Sequence, residues 1–287
     1  ASVDGGGMVS AAGRPVLSNV NVISNTPTNG GGLADWGDGF VLRGVILRGN
    51  DASGYGGGLY AGSGASDLVN VTFERNTAGS FGGGMSNGGP GRLTNVAFYG
   101  NTTPFNDGGG LYNYGDATLV NVIFSGNEAV AGSGGGLYND ACTPTLINAT
   151  FSGNAAASGG SAIHNNSSNA TVQNSILWGN SSTQIANASS IITVTYSLIE
   201  GGWTGVGNLD ADPRFTRAPS PGADTMWGTA DDDYGDLSLL FESPALDAGD
   251  NTALPTDTLD LDSDGVLTET RPLDFAAHPG QLDQGRG

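Results

Sequence analysis

Apolar residues along this chain follow two repeating patterns, and both point to short strands. The first is an alternation over six residues, seen at Leu68, Val71 and Phe73, again at Leu93, Val96 and Phe98, at Leu119, Val122 and Phe124, and at Leu146, Ala149 and Phe151. Apolar and polar residues taking turns within a block is the mark of a half-buried strand. The second is a single apolar residue after a glycine cluster: Met8, Leu33, Leu59, Met85, Leu111, Leu137 and Ala162. Helix signals are missing, and glycine and β-branched residues dominate.

The spacing of the clusters predicts the architecture. They stand at Gly5–Gly7, Gly30–Gly32, Gly56–Gly58, Gly82–Gly84, Gly108–Gly110 and Gly134–Gly136, with a degenerate copy at Gly159-Gly160-Ser161, so each unit is 25 or 26 residues long. A unit of that size with two or three short strands cannot bury its own apolar face. Stacked on its neighbours, each strand pairs in parallel with its copy one coil away, at about 4.8 Å. The expected fold is all-β: a single-stranded right-handed parallel β-helix of about eight coils over residues 1–200, closed by an irregular acidic cap over residues 201–287. The expected core columns are Leu42/Leu68/Leu93/Leu119/Leu146, Val20/Val45/Val71/Val96/Val122 and Leu47/Phe73/Phe98/Phe124/Phe151/Leu177. Each fully buried ring would contribute roughly 2–3 kcal/mol.

Asparagine repeats in two phases. Asn25, Asn50, Asn76, Asn101, Asn127, Asn154 and Asn180 form one set; Asn19, Asn70, Asn95, Asn121, Asn148 and Asn174 form the other, six residues earlier in each coil. Asparagine tolerates left-handed backbone angles at a corner, and its amide can bond its copy in the next coil. Two asparagine ladders are therefore expected. His164 aligns at this level with Asn113 and Asn139, a structural position. Tyr60, Tyr112 and Tyr138 share one phase next to inward residues, so alternation points them outward. Such a stripe either stacks on sugar rings or on a partner protein, or serves as a cross-coil aromatic ladder that stabilises the sheet.

Charge divides the chain. It carries −19 overall and has no lysine; residues 201–287 hold 17 acidic residues against four arginines. Nucleic acid and anionic membrane surfaces are poor partners for such a chain, and divalent cations are good ones. No apolar run is long enough to span a bilayer, so membrane insertion is not expected. The single cysteine, Cys142, allows no internal disulfide and reads as a small buried side chain.

Two acidic segments are candidate calcium sites. Asp260, Asp262 and Asp264, followed by Gly265, space oxygen ligands as in the first half of an EF-hand loop, with the Val266 carbonyl as a further ligand. Arg271 stands where the EF-hand has its bidentate glutamate, so Glu269 would complete the shell of a variant loop. The second segment holds Asp224, Asp231 and Asp233, with Asp232 and Asp236 beside them, and a solvated acidic loop explains it almost as well.

The phrase Gly134-Gly135-Gly136-Leu137-Tyr138, with Phe151-Ser152-Gly153-Asn154, resembles the repeat of polymorphic outer-membrane-protein passenger domains and related bacterial β-helix surface proteins. The stretch Asp210-Ala211-Asp212-Pro213-Arg214-Phe215, the glycine- and aspartate-rich run from Gly228 to Asp236, and Ser243-Pro244-Ala245-Leu246-Asp247-Ala248-Gly249-Asp250 resemble the end of choice-of-anchor Q surface proteins. These resemblances imply export to the bacterial cell surface and a β-helix, and no single activity. The resulting expectation is a structural or adhesive extracellular protein that presents repetitive faces to a glycan or cell-surface partner. Its first coil begins almost at Ala1 with no helix over the end, so either further residues precede it or another subunit covers it head-to-tail and builds a filament. The rival is a polysaccharide lyase or hydrolase, or a carbohydrate-binding module, on the same scaffold. Catalysis has little support: Arg43, Arg48, Arg75 and Arg92 fall at scattered phases, and Asp107, Asp116 and Asp140 read as a solvated acidic stripe rather than a convergent pair.

Overall fold

A computed structural model describes residues 4–253. The chain winds as a parallel β-solenoid with three sheets. One sheet has eight strands, from Met8–Ser10 through Leu33–Asp35, Leu59–Ala61, Met85–Asn87, Leu111–Asn113, Leu137–Asp140 and Ile163–Asn166 to Ile185–Ala188, each paired with its copy one turn away. Eight rungs in register enclose seven turns, a rise of about 34 Å. A second sheet holds the longest strands, Asp67–Glu74, Arg92–Tyr99, Thr118–Ser125 and Thr145–Ser152, and a third holds two-residue strands such as Thr102–Thr103 and Glu128–Ala129.

All three columns expected for the core are present; in the valine column Val45, Val71, Val96 and Val122 are fully buried and Val20, at its start, is partly so. Leu42, Leu68, Leu93, Leu119 and Leu146 pair in register and are fully buried. Phe73, Phe98, Phe124 and Phe151 stack with ring centroids 4.7, 4.7 and 4.5 Å apart, nearly parallel. Leu47 and Leu177 close that column at its two ends. The ring spacing equals the strand spacing, so no ring has to tilt to touch the next.

The glycine clusters are required where turns meet. Gly82 has φ of 71°, and a Cβ on the following Gly83 would stand 2.3 Å from the Gly109 carbonyl oxygen of the next turn. A side chain there would push the rungs apart.

The first asparagine ladder is complete. The amide of each of Asn25, Asn50, Asn76, Asn101, Asn127 and Asn154 donates from Nδ2 to Oδ1 of the next, at 2.8–2.9 Å. From Asn50 onward the same Nδ2 also donates to a backbone carbonyl of the preceding turn, for example that of Phe98 from Asn127. In the second set, Asn19, Asn70, Asn95, Asn121, Asn148 and Asn174 all have φ of 52–56°, which bends the second sheet. Here Asn95, Asn121 and Asn148 donate back to the preceding member. A third ladder was not expected: Asn87, Asn113, Asn139, Asn165 and Asn187, linked at 2.8–3.1 Å along the first sheet.

One alignment is corrected. Leu137 pairs with Ile163, not Ala162, and His164 pairs with Tyr138 rather than lying level with Asn139. The turning glycine is Gly160, with φ of 61°, so this step is 26 residues and not 25. A strand alternates with period two, so the one-residue shift moves His164 from the inner phase to the outer.

The solenoid's last strand is Leu198–Ile199. Beyond it the chain crosses the end of the core: Leu209 bridges Leu198, Asn208 accepts a hydrogen bond from the Ser197 amide and donates to the Val194 carbonyl, and Trp203 packs on the core. The following segment runs back along the side of the rod. Phe215–Arg217 pairs antiparallel with Asp236–Leu239. Between them, Tyr234 stacks on Tyr99 at 5.3 Å and receives a hydrogen bond from the Arg75 guanidinium, while Ser125 donates to the Tyr234 carbonyl at 2.8 Å.

Candidate functional site

The outer face of the first sheet carries the most distinctive side-chain arrangement. Positions facing outward in successive rungs are Ala34, Tyr60, Ser86, Tyr112, Tyr138, His164 and Ala186. From Tyr112 onward the rings form a regular ladder: Tyr112 on Tyr138 at 5.4 Å and Tyr138 on His164 at 4.9 Å, both stacked. Tyr112 also donates its hydroxyl to Asp140 at 2.7 Å. Burial pushes the Tyr138 hydroxyl up to about 12, with Asp107 and Asp140 adding to the effect. Burial also holds the His164 imidazole below its ordinary value, against the opposing pull of Asp107.

Below Tyr112 the order changes. Ser86 interrupts the tyrosine column, and rings from neighbouring turns fill the gap. Trp36 packs on Tyr60 at 4.6 Å, Tyr55 on Phe81 at 5.8 Å, and Phe81 on Tyr112 at 4.6 Å. Tyr114 lies across Gly88, where a Cβ would meet its ring at 2.3 Å, and burial, with Tyr60 adding to the effect, pushes its hydroxyl above its ordinary value. Sequence reading singled out Tyr60, Tyr112 and Tyr138. It missed Trp36, Tyr55, Phe81, Tyr114 and His164, which lie at other phases or were placed one residue off.

The acidic residues on the rod are committed to neighbouring turns. Asp107 accepts the Ser133 amide, Asp116 accepts both the amide and the hydroxyl of Thr143, and Asp140 accepts from Asn166 as well as Tyr112. Arg48 bonds Glu74 at 2.8 Å, its partner in register one turn away. Arg43 and Asp67 approach at 4.0 Å. These are cross-turn clamps, not a convergent acid–base pair. Cys142 is buried against Asn113 and Ser168, and desolvation pushes its thiol up to about 11.

In the acidic segment the candidate ligands point into their own loop. Asp224 accepts the Met226 amide; Asp231 accepts the Ala223 amide and the Thr229 hydroxyl; Asp232 accepts the amides of Gly228 and Thr229. Asp233 is held by the Arg217 guanidinium through two bonds of 2.6 and 3.0 Å, which keeps its carboxyl below the usual range. Among the described residues no group of three or more His, Cys, Asp or Glu side chains converges to hold a metal ion. Asp260, Asp262, Asp264, Val266 and Glu269 lie outside the described residues.

The fold and its faces define a class: an asparagine-laddered parallel β-solenoid with an aromatic outer face. Residues 121–140 match the family model of the Chlamydia polymorphic membrane protein repeat. That stretch is most of one turn, from the left-handed Asn121 through Phe124, the ladder member Asn127 and the glycine cluster to Tyr138 and Asp140. No curated protein and no solved structure matches the chain. Among the described residues no helix is long and apolar enough to cross a membrane.

Proposed function

We propose that the protein is a rod exposed on the outer surface of a bacterial cell and that it works by contact, as a structural or adhesive element. The observation that carries this reading is the match of one turn to the repeat of a bacterial polymorphic membrane protein, in a chain whose other turns repeat the same pattern. The polar groups support it: the asparagines bond along the axis, and the carboxylates on the rod clamp adjacent turns, so the solenoid's chemistry goes into rigidity. Labelling intact host cells with an antibody against the rod tests the location. Bright labelling without permeabilisation is expected; signal only after lysis overturns the proposal.

Calcium belongs to the same reading, at Asp260, Asp262 and Asp264 with the Val266 carbonyl and Glu269. Its support is the spacing of those oxygens and the accumulation of acid in the last third of the chain. Titration of the full chain with calcium should give one saturable site that Asp262→Asn with Asp264→Asn abolishes. Head-to-tail assembly belongs to the same reading, and a second copy stacking on the last rung would have to displace Trp203 and Asn208. Sedimentation with and without calcium tests it: a concentration-dependent polymer is expected, and a strict monomer in both refutes this part.

A further inference from the structure

Aromatic rings bind other flat or ring-shaped molecules only with faces that their own neighbours leave open. On this rod the two halves of the aromatic face differ in that respect. Tyr112, Tyr138 and His164 stack at interplanar angles of 14° and 3°, so each covers the next. The rings of the lower half mostly tilt: 44° between Trp36 and Tyr60, 55° between Tyr55 and Tyr60, 39° between Phe81 and Tyr112, and 46° between Tyr112 and Tyr114. Tilted rings expose part of their faces. Trp36, Tyr55 and Tyr114 are 49, 41 and 39 % exposed. The result is a platform several turns long, paved by Trp36, Tyr55, Tyr60, Phe81, Tyr112 and Tyr114. Small residues make it flat: Gly88 lies under Tyr114, and Gly62 occupies the turn above Trp36, at the same place in the repeat.

We infer that this platform binds an uncharged glycan chain laid along the rod axis. Sugar rings present C–H faces that stack on tryptophan and tyrosine, and hydroxyls that bond phenols. Charge narrows the choice. The chain carries −19 with no lysine, so a polyuronate is repelled. A cationic polymer would need carboxylates along the whole platform. Asp107 and Asp140 sit beside Tyr112 and the stacked ladder, Asp35 near Trp36 is buried with its oxygens on the amides of Gly37 and Gly39, and the exposed Asp38 and Asp116, two residues after Trp36 and Tyr114, accept bonds from the Gly13 amide and from Thr143. The inference names the partner for the contact function proposed above. It rests on ring geometry, so failure of the surface-labelling experiment would leave it standing.

Affinity electrophoresis of the full chain through gels containing soluble linear glucan, mannan, xylan or galactan tests the inference, with polygalacturonate and a proline-rich peptide polymer as the other arms. Retardation by at least one neutral glycan is expected. Trp36→Ala and Tyr114→Gly should each weaken it about tenfold. Glycine already stands at the position of Tyr114 in the two preceding turns, so that variant keeps the backbone. Tyr138→Ser, in the stacked half, should migrate as the unaltered protein does, because Ser86 shows that the column accepts serine. No retardation by any neutral glycan overturns the inference. So does retardation only by polygalacturonate or the peptide, or retardation that Trp36→Ala and Tyr114→Gly leave unchanged.

Discussion

Replacing Asn127 by alanine tests the idea that buried amides hold the turns together. Asn127 sits mid-ladder and is fully buried. Its Oδ1 accepts the backbone amide and Nδ2 of Asn101, at 3.0 and 2.9 Å, and its Nδ2 donates to the Phe98 carbonyl and to Asn154, both at 2.9 Å. Asn127→Ala leaves two donors without partners, the Asn101 amide and one Asn101 Nδ2 hydrogen, and removes the side-chain donor to the Phe98 carbonyl. Each such group costs about 1–3 kcal/mol; with one water admitted to the vacated space, the expected loss is about 3–5 kcal/mol. Asn25 gives the contrast. It is half-exposed at the start of the ladder, and its Nδ2 bonds only Asn50 and the Ile23 carbonyl. Asn25→Ala should cost about 0.5–1 kcal/mol. Guanidinium denaturation followed by circular dichroism reads the difference, a midpoint drop on the order of 0.5–1 M for Asn127→Ala. Asn127→Asp adds a check on sign. Burial raises the pKa of that carboxyl above its unfolded value, so the variant should be weakest at neutral pH and recover as pH falls through the raised value. Equal midpoints for the two alanine variants would refute the reasoning.

The other predictions concern the outer surface. Gly126→Ala places a Cβ 2.4 Å from the Trp227 ring at φ of 65°, whereas Gly49→Ala, at φ of 60°, meets only Ser24 at 3.7 Å. Both should lose about 1–2 kcal/mol through backbone strain, but only Gly126→Ala should release the acidic arm, seen as faster proteolysis between residues 210 and 240. His164 should titrate below the ordinary histidine range by nuclear magnetic resonance, and Asp107→Asn should lower it further. Because its folded pKa is depressed, protonation should cost stability as pH falls below about 6.5. Cys142, with its thiol pushed up to about 11, should resist alkylation at pH 8 until the protein is unfolded.

How much of this could be read beforehand follows from what stacking does. Where each turn repeats the chemistry of the last, as at Phe73, Phe98, Phe124 and Phe151, the period alone placed the column, because equivalent residues lie directly above one another. The asparagine sets were legible for the same reason. The third ladder carries the same 26-residue step from Asn87 to Asn113, Asn139 and Asn165, but Ala61 and Asp35 occupy its first rungs and hide it. His164 was misplaced because Gly159 and Gly160 both fit the degenerate cluster, and only backbone angles show which one turns. The aromatic platform left only a broken periodic trace. Trp36 and Tyr114 share one phase of the repeat with Gly62 and Gly88 between them, Tyr55 and Phe81 share another, and the rings meet only because Ser86, Gly62 and Gly88 leave room. The path of the acidic arm was equally silent: Gly100, Gly126 and Gly153 need positive φ for the turn, which conceals that Tyr234 and Trp227 also need their bareness.

The direction of the ladders gives the rod a polarity, and the two ends of the first ladder are treated differently. From Asn25 to Asn154 one side-chain N–H of each ladder amide donates to the next member toward the end of the solenoid, so these bonds run in one direction and each polarises the next. The donor end of such a chain carries partial positive charge, as a helix N-terminus does. Asn180 donates at 2.6 Å to Gln184, and Gln184 donates at 2.9 Å to Glu200. The chain of donors thus ends on a carboxylate, which also accepts the Gly179 amide at 2.9 Å. The turn that makes this closure possible is the short one: Ile163 to Ile185 spans 22 residues where earlier rungs take 25 or 26. Shortening it brings Gln184 under Asn180 in place of another ladder asparagine. An added turn would need an amide where Glu200 now stands, so the same few residues that satisfy the last ladder member also fix the number of turns.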